Sequence, residues 1–292
     1  MISNGAIVAG VDDSPEARDA ALLGRSLARA ASAELHLVSA VDDPLADMVA
    51  VRLRLDVDRL HRSLIRNARA AVVSNLSPAF PPEELDRRLS IRIGRPEHVL
   101  REVGRETQAD LFMVGGGRGG SAGRWIRRGT AHHLLRSRDC PVLVTGPGAP
   151  DIARVVVAVD VSFAARPTIA AARGFAELLG VPLHGLHVAG HRDFPAGWDP
   201  VVNLGPVYDE MERRVADEIW PLLPDDAPRE VRRGAPIPAI REAAALGGPS
   251  LLVLGAQGRG RVDRLLLGST TEALLHLPPC SLAIVPVTPG EL

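Results

Sequence analysis

Residues 155–162, Val-Val-Val-Ala-Val-Asp-Val-Ser, form a short apolar run that ends in Asp160, with a serine two positions later. Residues 6–14, Ala-Ile-Val-Ala-Gly-Val-Asp-Asp-Ser, repeat this pattern with Asp12 at the corresponding place, 148 positions earlier. Runs this short and this continuous favour β-strands that are covered on both faces. The recurrence indicates that one structural unit occurs twice in the chain.

Other short sequence motifs recur at nearly the same offset. Ile93-Gly94-Arg-Pro96 corresponds to Arg233-Gly234-Ala-Pro236, and Cys140 corresponds to Cys280, each pair 140 positions apart. Residues 145–151, Thr-Gly-Pro-Gly-Ala-Pro-Asp, separate the two copies with the Gly and Pro content of a domain linker. We therefore predict two domains, residues 1–147 and 152–288.

Each copy alternates apolar runs with helical patterns. In the first copy the runs cover residues 6–11, 34–40, 88–93, 110–114 and 142–145. Helical spacing follows Ser14-Pro15 and recurs over about 51–75, 97–108 and 130–138, and the second copy repeats the scheme from 154 to 286, with an irregular stretch at 192–208 before a helix at 209–222. This alternation predicts two tandem doubly wound α/β domains, Rossmann-like, each with a five-stranded parallel sheet in the order 3-2-1-4-5.

Composition excludes several classes of function. The 292 residues carry 34 basic and 35 acidic side chains, a net charge of -1 that gives no field to attract nucleic acid or an anionic membrane. All the basic residues are Arg, so P-loop, protein kinase and pyridoxal-phosphate mechanisms, which need a lysine, are excluded. No apolar run is long enough to span a bilayer and no basic leader precedes the first strand, so we expect a cytoplasmic protein.

Glycine-rich loops carry the functional signal. In the second copy a strand over 250–254 leads into Gly255-x2-Gly258-x9-Gly268-Ser269, and in the first copy Gly116, Gly119, Gly129 and Thr130 have the same spacing. Glycines just past a strand let backbone N–H groups approach an anion, and the following helix start adds a hydroxyl and the positive end of the helix dipole. The duplicated spacing favours phosphate binding over ordinary turns.

An acidic residue at the end of the first strand of each copy points to the same binding site. In a doubly wound sheet, the loops after strands one and four flank the crevice where ligands bind. Asp12 and Asp160 are thereby placed to contact a base or a ribose. The alternative is a structural role, because an Asp before a helix start also caps that helix.

Rival motifs are weaker. Residues 115–120 match G-x-G-x-x-G, but they follow the fourth strand of the unit and the second copy lacks the match. Ser121 lies in a G-x-S-x-G match, yet it is seven residues beyond Val114, whereas a nucleophilic serine of this kind sits at the strand end. The histidines have no metal-ligand spacing. We assign no catalytic residue and no metal ligand.

The quoted motifs together resemble the universal stress protein family. The strand-Asp-x-Ser start, the Gly-x-Pro after the third strand, the G-x2-G-x9-G-S/T loop and the Cys-Pro-Val-Leu-Val or Cys-Ser-Leu-Ala-Ile-Val ending carry the resemblance, which covers both copies. It is to the tandem two-domain members, whose ATP-binding branch keeps the glycine motif. The resemblance implies ATP as the cofactor, alone or with Mg²⁺.

The resemblance also implies roles for individual residues. In the second copy, Asp160 would hold the adenine or ribose side and the backbone of Val188 would contact adenine, while ribose and phosphates would lie on Gly255, Gly258, Gly268, Ser269 and Thr270. The first-copy equivalents would be Asp12, Ala40, Gly116, Gly119, Gly129 and Thr130. The first copy departs from the family pattern in Ala40, where Val is usual, and in the 11 positions between Gly129 and Cys140, against 12 between Gly268 and Cys280.

The function expected on this basis is a stress-response or growth regulator that acts through nucleotide-dependent conformation or partner binding. It would be no enzyme beyond weak ATPase activity, and it would form a homodimer or an intramolecular pseudo-dimer, with neither nucleic acid nor membrane as a partner. Two alternatives stay open: a slow ATP-hydrolysing enzyme, and a structural stress protein that binds no nucleotide.

Overall fold

The computed structural model describes residues 5–42, 52, 56–116, 128–137, 140–190, 205–258 and 267–287. The chain divides into two compact units, which we call the first unit, Ile2–Pro150, and the second unit, Asp151–Leu292. Each unit contributes five strands that pair in parallel, with helices packed on them.

The first unit alternates strands and helices. Its strands are β1 (Ala6–Gly10), β2 (Glu34–Val41), β3 (Leu89–Ile93), β4 (Ala109–Gly115) and β5 (Val142–Thr145). Its helices are α1 (Pro15–Ala31), α2 (Val57–Leu76), α3 (Pro82–Arg88), α4 (Pro96–Glu106) and α5 (Arg128–Ser137). The strands pair in the order β3-β2-β1-β4-β5 and all pairs are parallel.

The second unit has the same plan. Its strands are β6 (Arg154–Ala158), β7 (Leu183–Ala189), β8 (Arg229–Arg233), β9 (Ser250–Gly255) and β10 (Ser281–Val285). Its helices are α6 (Ala165–Leu179), α7 (Gly205–Glu218), α8 (Pro236–Ala245) and α9 (Ser269–His276), with a short 3-10 helix at Trp220–Leu222. The order is β8-β7-β6-β9-β10, again with parallel pairs.

Burial explains why the strands are apolar throughout. β1, β5 and β10 are buried at every residue, since helices cover both faces of each sheet. In the second unit, one core cluster joins strand residues such as Val156, Leu252 and Leu282 to Ile240 and Leu274 of α8 and α9. The predicted fold class, two tandem α/β domains with parallel sheets, is confirmed.

Some element boundaries differ from the sequence expectation. Helix α2 begins at Val57, where Asp56 caps it by accepting a hydrogen bond from the Arg59 N–H at 3.0 Å. Arg52 is also helical, and residues 51 and 53–55 lie outside the described residues. Helix α3 was not predicted, since its seven residues carry a single buried side chain, Leu85, and show no periodic pattern. Helix α7 ends at Glu218, before the 3-10 turn, and residues 192–204 of the predicted irregular stretch lie outside the described residues.

Helices in the described part of the chain are all too short or too polar to cross a membrane.

The C-terminal caps of α1 and α6 offer a matched test of backbone strain. Ser32 and Gly180 end these helices at the same place in each repeat, with φ of 53° and 65°, the left-handed region that favours glycine. Ser32→Gly is expected to raise the free energy of unfolding and Gly180→Ala to lower it, each by about 1 kcal/mol. Urea unfolding of the full chain measures both, and changes of the same sign would contradict the account.

Candidate functional site

A cavity of about 360 Å³ lies at the carboxyl ends of β6, β7 and β9 in the second unit. β6 is the central strand, with β7 on one side of it and β9 on the other. In doubly wound sheets, ligands bind at this point, where the strand order reverses. The cavity brings together all seven residues that the sequence singled out in the second copy: Asp160, Val188, Gly255, Gly258, Gly268, Ser269 and Thr270.

One end of the cavity is built from the glycine loop and the start of α9. The Thr271 hydroxyl donates to the Gly255 carbonyl at 2.9 Å, and the Gly268 N–H donates to the Ala256 carbonyl at 2.8 Å, so the loop and the helix start are fastened together. Gly268 is extended and precedes the first helical residue, Ser269, without a side chain to cap the helix. This end therefore presents hydroxyls and the positive end of a helix dipole.

Asp160 lies against the glycine loop. A Cβ added to Gly258 would stand 2.7 Å from the Oδ2 atom of Asp160, closer than carbon and oxygen can approach without moving. The glycine thus leaves room for a carboxylate beside the loop. Sequence reasoning assigned Gly258 to the approach of a phosphate, whereas the structure shows a second reason for a glycine there.

Part of the cavity lining is apolar. Leu186 of β7 and Ile240 of α8 belong to one core cluster against which Val188 packs, and Pro236 and Met211 also line the cavity. A cavity with an apolar part and a polar, glycine-lined part has the usual make-up of a small-molecule site.

The cavity also contains residues that sequence reasoning missed. Thr168, His187 and Gln257 are buried polar residues that line it. His187 stands inside an apolar strand and was weighed only as a metal ligand, and Thr168 lies one helical turn beyond the loop after β6. These three residues could have been singled out as polar residues at buried positions. The sequence identifies buried positions only once the strand and helix faces are known.

In the first unit, the carboxylate of Asp12 has a structural role. It accepts hydrogen bonds from the Ser14 N–H at 2.9 Å and the Ser14 hydroxyl at 2.5 Å, and Ser14 caps α1 by accepting from the Ala17 N–H. Asn75 of α2 donates to the carbonyls of Asp12 and Ser14 at 3.0 and 2.7 Å. The turn after β1 is therefore closed by its own side chains.

The turn after β6 is built differently. α1 begins at Pro15, three residues after Asp12, while α6 begins at Ala165, five residues after Asp160. The longer turn carries Ala164 and Ala165 into the cavity wall, and no side chain caps α6.

Strand register corrects one correspondence between the copies. Gly115 pairs with Thr145 as Gly255 pairs with Val285, and the N–H groups of the following residues, Gly116 and Ala256, bond to the carbonyls of those partners. The counterpart of Gly255 is therefore Gly115, and the expected Gly116 is wrong by one position. Alignment on the glycine spacing alone caused the error.

The start of α5 shows a second shift. α5 begins at Arg128, so Gly129 lies within its first turn, whereas Gly268 precedes α9. The buried pair Leu134 and Leu135 matches Leu274 and Leu275 at an offset of 140, which places Thr130 against Thr270 and Gly129 against Ser269. At that offset the first copy has Arg118 and Arg128 where the second has Gly258 and Gly268.

Ala40 and Gly119 are the remaining predicted residues of the first unit. Ala40 is the register counterpart of Val188, since the two pair with Arg92 and Arg232 at equivalent places in their sheets. Gly119 lies outside the described residues.

The cysteines line up in the repeat but offer no accessible thiol. Both are buried, and burial raises the pKa of the Cys280 thiol to about 12, which keeps it protonated and unreactive near neutral pH. Among the described residues, no group of three His, Cys, Asp or Glu side chains is placed to hold a metal ion.

The contact between Gly258 and Asp160 can be tested by a double-mutant cycle. The change in the free energy of unfolding on Gly258→Ala is expected to be less favourable by about 0.5 kcal/mol in the wild-type background than in an Asp160→Ala background, since the added methyl must displace a carboxylate only where Asp160 is present. Urea unfolding of the four proteins measures the coupling.

Gly268→Ala serves as the control for this cycle, because a Cβ there meets its nearest atom at an ordinary 3.6 Å. Equal effects of Gly258→Ala in both backgrounds would contradict the contact.

Comparison with known proteins bears on both units. A family model described as the universal stress protein family matches residues 4–146 and again residues 152–286. Universal stress protein Rv2005c of Mycobacterium tuberculosis (strain ATCC 25618 / H37Rv) is 27% identical to this chain over 202 residues, which are 65% of this chain and 67% of the relative. Universal stress protein Mb2028c of Mycobacterium bovis shows the same identity and coverage.

Solved structures share the two-unit fold. A universal stress protein from Archaeoglobus fulgidus matches with a TM-score of 0.58 at 18% identity, over 98% of this chain and 97% of that one. A universal stress protein from Pseudomonas aeruginosa UCBPP-PA14 matches with a TM-score of 0.57 at 16% identity, over 98% and 94%. These matches extend the likeness of fold across nearly the whole chain.

Proposed function

The chain belongs to the universal stress protein family, and from this premise we propose that its second unit binds an adenine nucleotide, ATP, and acts in the stress response as a nucleotide-dependent regulator. The observation that carries the proposal is the cavity at the ends of β6, β7 and β9. It joins an apolar wall to a glycine loop with hydroxyls, and it contains every nucleotide-site residue expected in the second copy.

The residues present fit the parts of a nucleotide. The backbone of the glycine loop and the first turn of α9 offer N–H and hydroxyl donors to phosphates. Asp160, beside that loop, is an acceptor for ribose hydroxyls. The apolar wall of Leu186, Pro236 and Ile240 suits a purine ring. A Mg²⁺ ion would be held by the phosphates of the ligand, with Asp160 as the acidic residue of the cavity.

The direction of the Val188 backbone groups supports a role in recognising the base. Its neighbours in β7 bond toward β8, because the Gly185 N–H donates to Pro228 and the Ala189 carbonyl accepts from Gly234. Since residues of a parallel strand bond alternately to the two sides, Val188 directs its N–H and carbonyl toward β6. β6 has ended by then, so this donor and acceptor lie at the cavity, where the Watson–Crick edge of adenine offers the complementary acceptor and donor.

ATP binding without hydrolysis is sufficient for the proposed regulation. A ligand that binds the folded second unit stabilises that conformation in proportion to its concentration over its Kd. ATP occupancy would thereby set the population of one conformation or of one partner complex. We propose no catalytic step.

The second unit is favoured over the first as the ATP site. In the first unit, the sequence positions that match Gly258 and Gly268 at the offset of 140 are Arg118 and Arg128. We therefore propose one nucleotide per chain, rather than the two that the duplicated glycine spacing suggests.

A valine at Gly268 tests the site. Gly268→Val is expected to weaken ATP binding by at least about a hundredfold, because a branched side chain would stand where the helix start meets phosphate. The fold should survive, since Gly268 has ordinary φ and no close neighbour at its Cβ position. Isothermal titration calorimetry with ATP and Mg²⁺, and circular dichroism, measure the two effects.

Glu272→Val is the matched control, because Glu272 lies in the same helical turn, is exposed and does not line the cavity. It should bind ATP like the wild type. ATP affinity that is unchanged in a folded Gly268→Val protein would overturn the assignment of this loop.

A further inference from the structure

Helix α7 carries Met211 into the lining of the cavity. Tyr208, Met211 and Val215 follow one another at helical spacing, and Tyr208 and Val215 are buried. Tyr208 forms a small core cluster with Ala189 of β7, and Met211 packs against that cluster. Met211 also lines the cavity. The position of the first half of α7 therefore decides where Met211 stands.

Arg233 fastens this half of α7 to the edge strand β8. Its Nε atom donates to Oε1 of Glu212 at 2.7 Å, and its Nη2 atom donates to Oδ1 of Asp209 at 3.1 Å. The same guanidinium lies over the ring of Tyr208, 5.3 Å from the ring centroid. A single exposed ion pair contributes little, but here one planar group engages three side chains within five residues of the helix.

We propose that Arg233 is a positioning residue of the nucleotide site, which holds the first half of α7 on the sheet and so keeps Met211 in the lining of the cavity. The inference rests on the proposed function, since it names the element that nucleotide occupancy would stabilise. Met211 lies inside the segment 208–212, whose two ends contact Arg233. Arg233 acts through that segment and is not among the described residues that line the cavity.

The first unit fastens its corresponding helix in another way. Strand register places Ile93 at the position of Arg233, because the two pair with Val41 and Ala189 at equivalent places. Ile93 has no charge to offer to α2. Asn75 ties α2 instead, by donating to two carbonyls of the turn after β1. Attachment through an arginine of the edge strand is thus a feature of the second unit.

Ligand binding and the seating of α7 on the sheet are linked. A ligand that contacts Met211 favours the seated helix, and the seated helix favours the ligand by the same free energy. Bound ATP should therefore slow hydrogen exchange of the amides of residues 209–215. Because the opposite side of α7 is exposed, at Glu210, Arg213 and Arg214, the helix would carry the effect of occupancy to the surface of the unit.

A double-mutant cycle on the full chain tests the role through ATP affinity. Arg233→Met removes the charge and keeps an apolar chain near Tyr208. It is expected to weaken ATP binding about fivefold, because α7 is seated in a smaller fraction of the molecules. In a Met211→Ala background the same change should weaken ATP binding less than about twofold, since the contact that Arg233 positions is already gone. Isothermal titration calorimetry with ATP and Mg²⁺ measures the four proteins.

Two further variants serve as controls. Arg214→Met is the matched control, because Arg214 pairs with Glu218 of the same helix at 2.9 Å, and it should bind ATP like the wild type. Arg233→Lys keeps the charge but loses the planar fork, so its ATP affinity should fall between those of Arg233→Met and the wild type. Both arginines are exposed, so these variants should keep the fold.

Hydrogen exchange without nucleotide separates the two levels of the proposal. In Arg233→Met the amides of residues 209–215 should exchange about tenfold faster than in the wild type, and in Arg214→Met less than about twofold faster. Unchanged exchange in Arg233→Met, or equal losses of ATP affinity in the two backgrounds of the cycle, would overturn the role of Arg233. Absence of ATP binding by the wild type would instead overturn the proposed function, whatever the exchange shows.

Discussion

The early end of β6 is the constraint on which the second unit's site depends. β6 stops at Ala158, opposite Leu186 of β7, while β7 runs on to Ala189. Backbone groups beyond that point lose their ladder partner, and buried polar groups need another one. The imidazole of His187 supplies it for the Val159 carbonyl, and the backbone of Val188 is left facing the cavity.

The same region shows how two copies of one unit come to differ. In the first, Ser14, Asp12 and Asn75 satisfy one another and close the turn after the central strand. In the second, the turn is longer, Asp160 rests against a glycine, and the helix that follows starts without a side-chain cap. The capping of the helix after the central strand therefore differs between the two units.

Sequence patterns predicted the fold class and placed the residues of the second-copy cavity, because strand ends, the acid after the first strand and the glycine loop are all local signals. They failed where geometry decides: glycine spacing aligned Gly116 with Gly255, but strand register selects Gly115. The buried His187 was not singled out, because its hydrogen-bond partner, the Val159 carbonyl, lies 28 residues away in sequence. The contact between Gly258 and Asp160 was likewise hidden, because the two residues are far apart in sequence and the glycine spacing says nothing about it.

Mass spectrometry of the small molecules released on denaturing the purified full chain tests the central claim most directly. Protein prepared without added nucleotide, or incubated with ATP and Mg²⁺ and then desalted, would be unfolded and its contents identified and counted. The account predicts an adenine nucleotide at close to one per chain. Release of no nucleotide from either preparation, together with no heat on titration with ATP and Mg²⁺, would contradict it and leave the cavity without the ligand proposed for it.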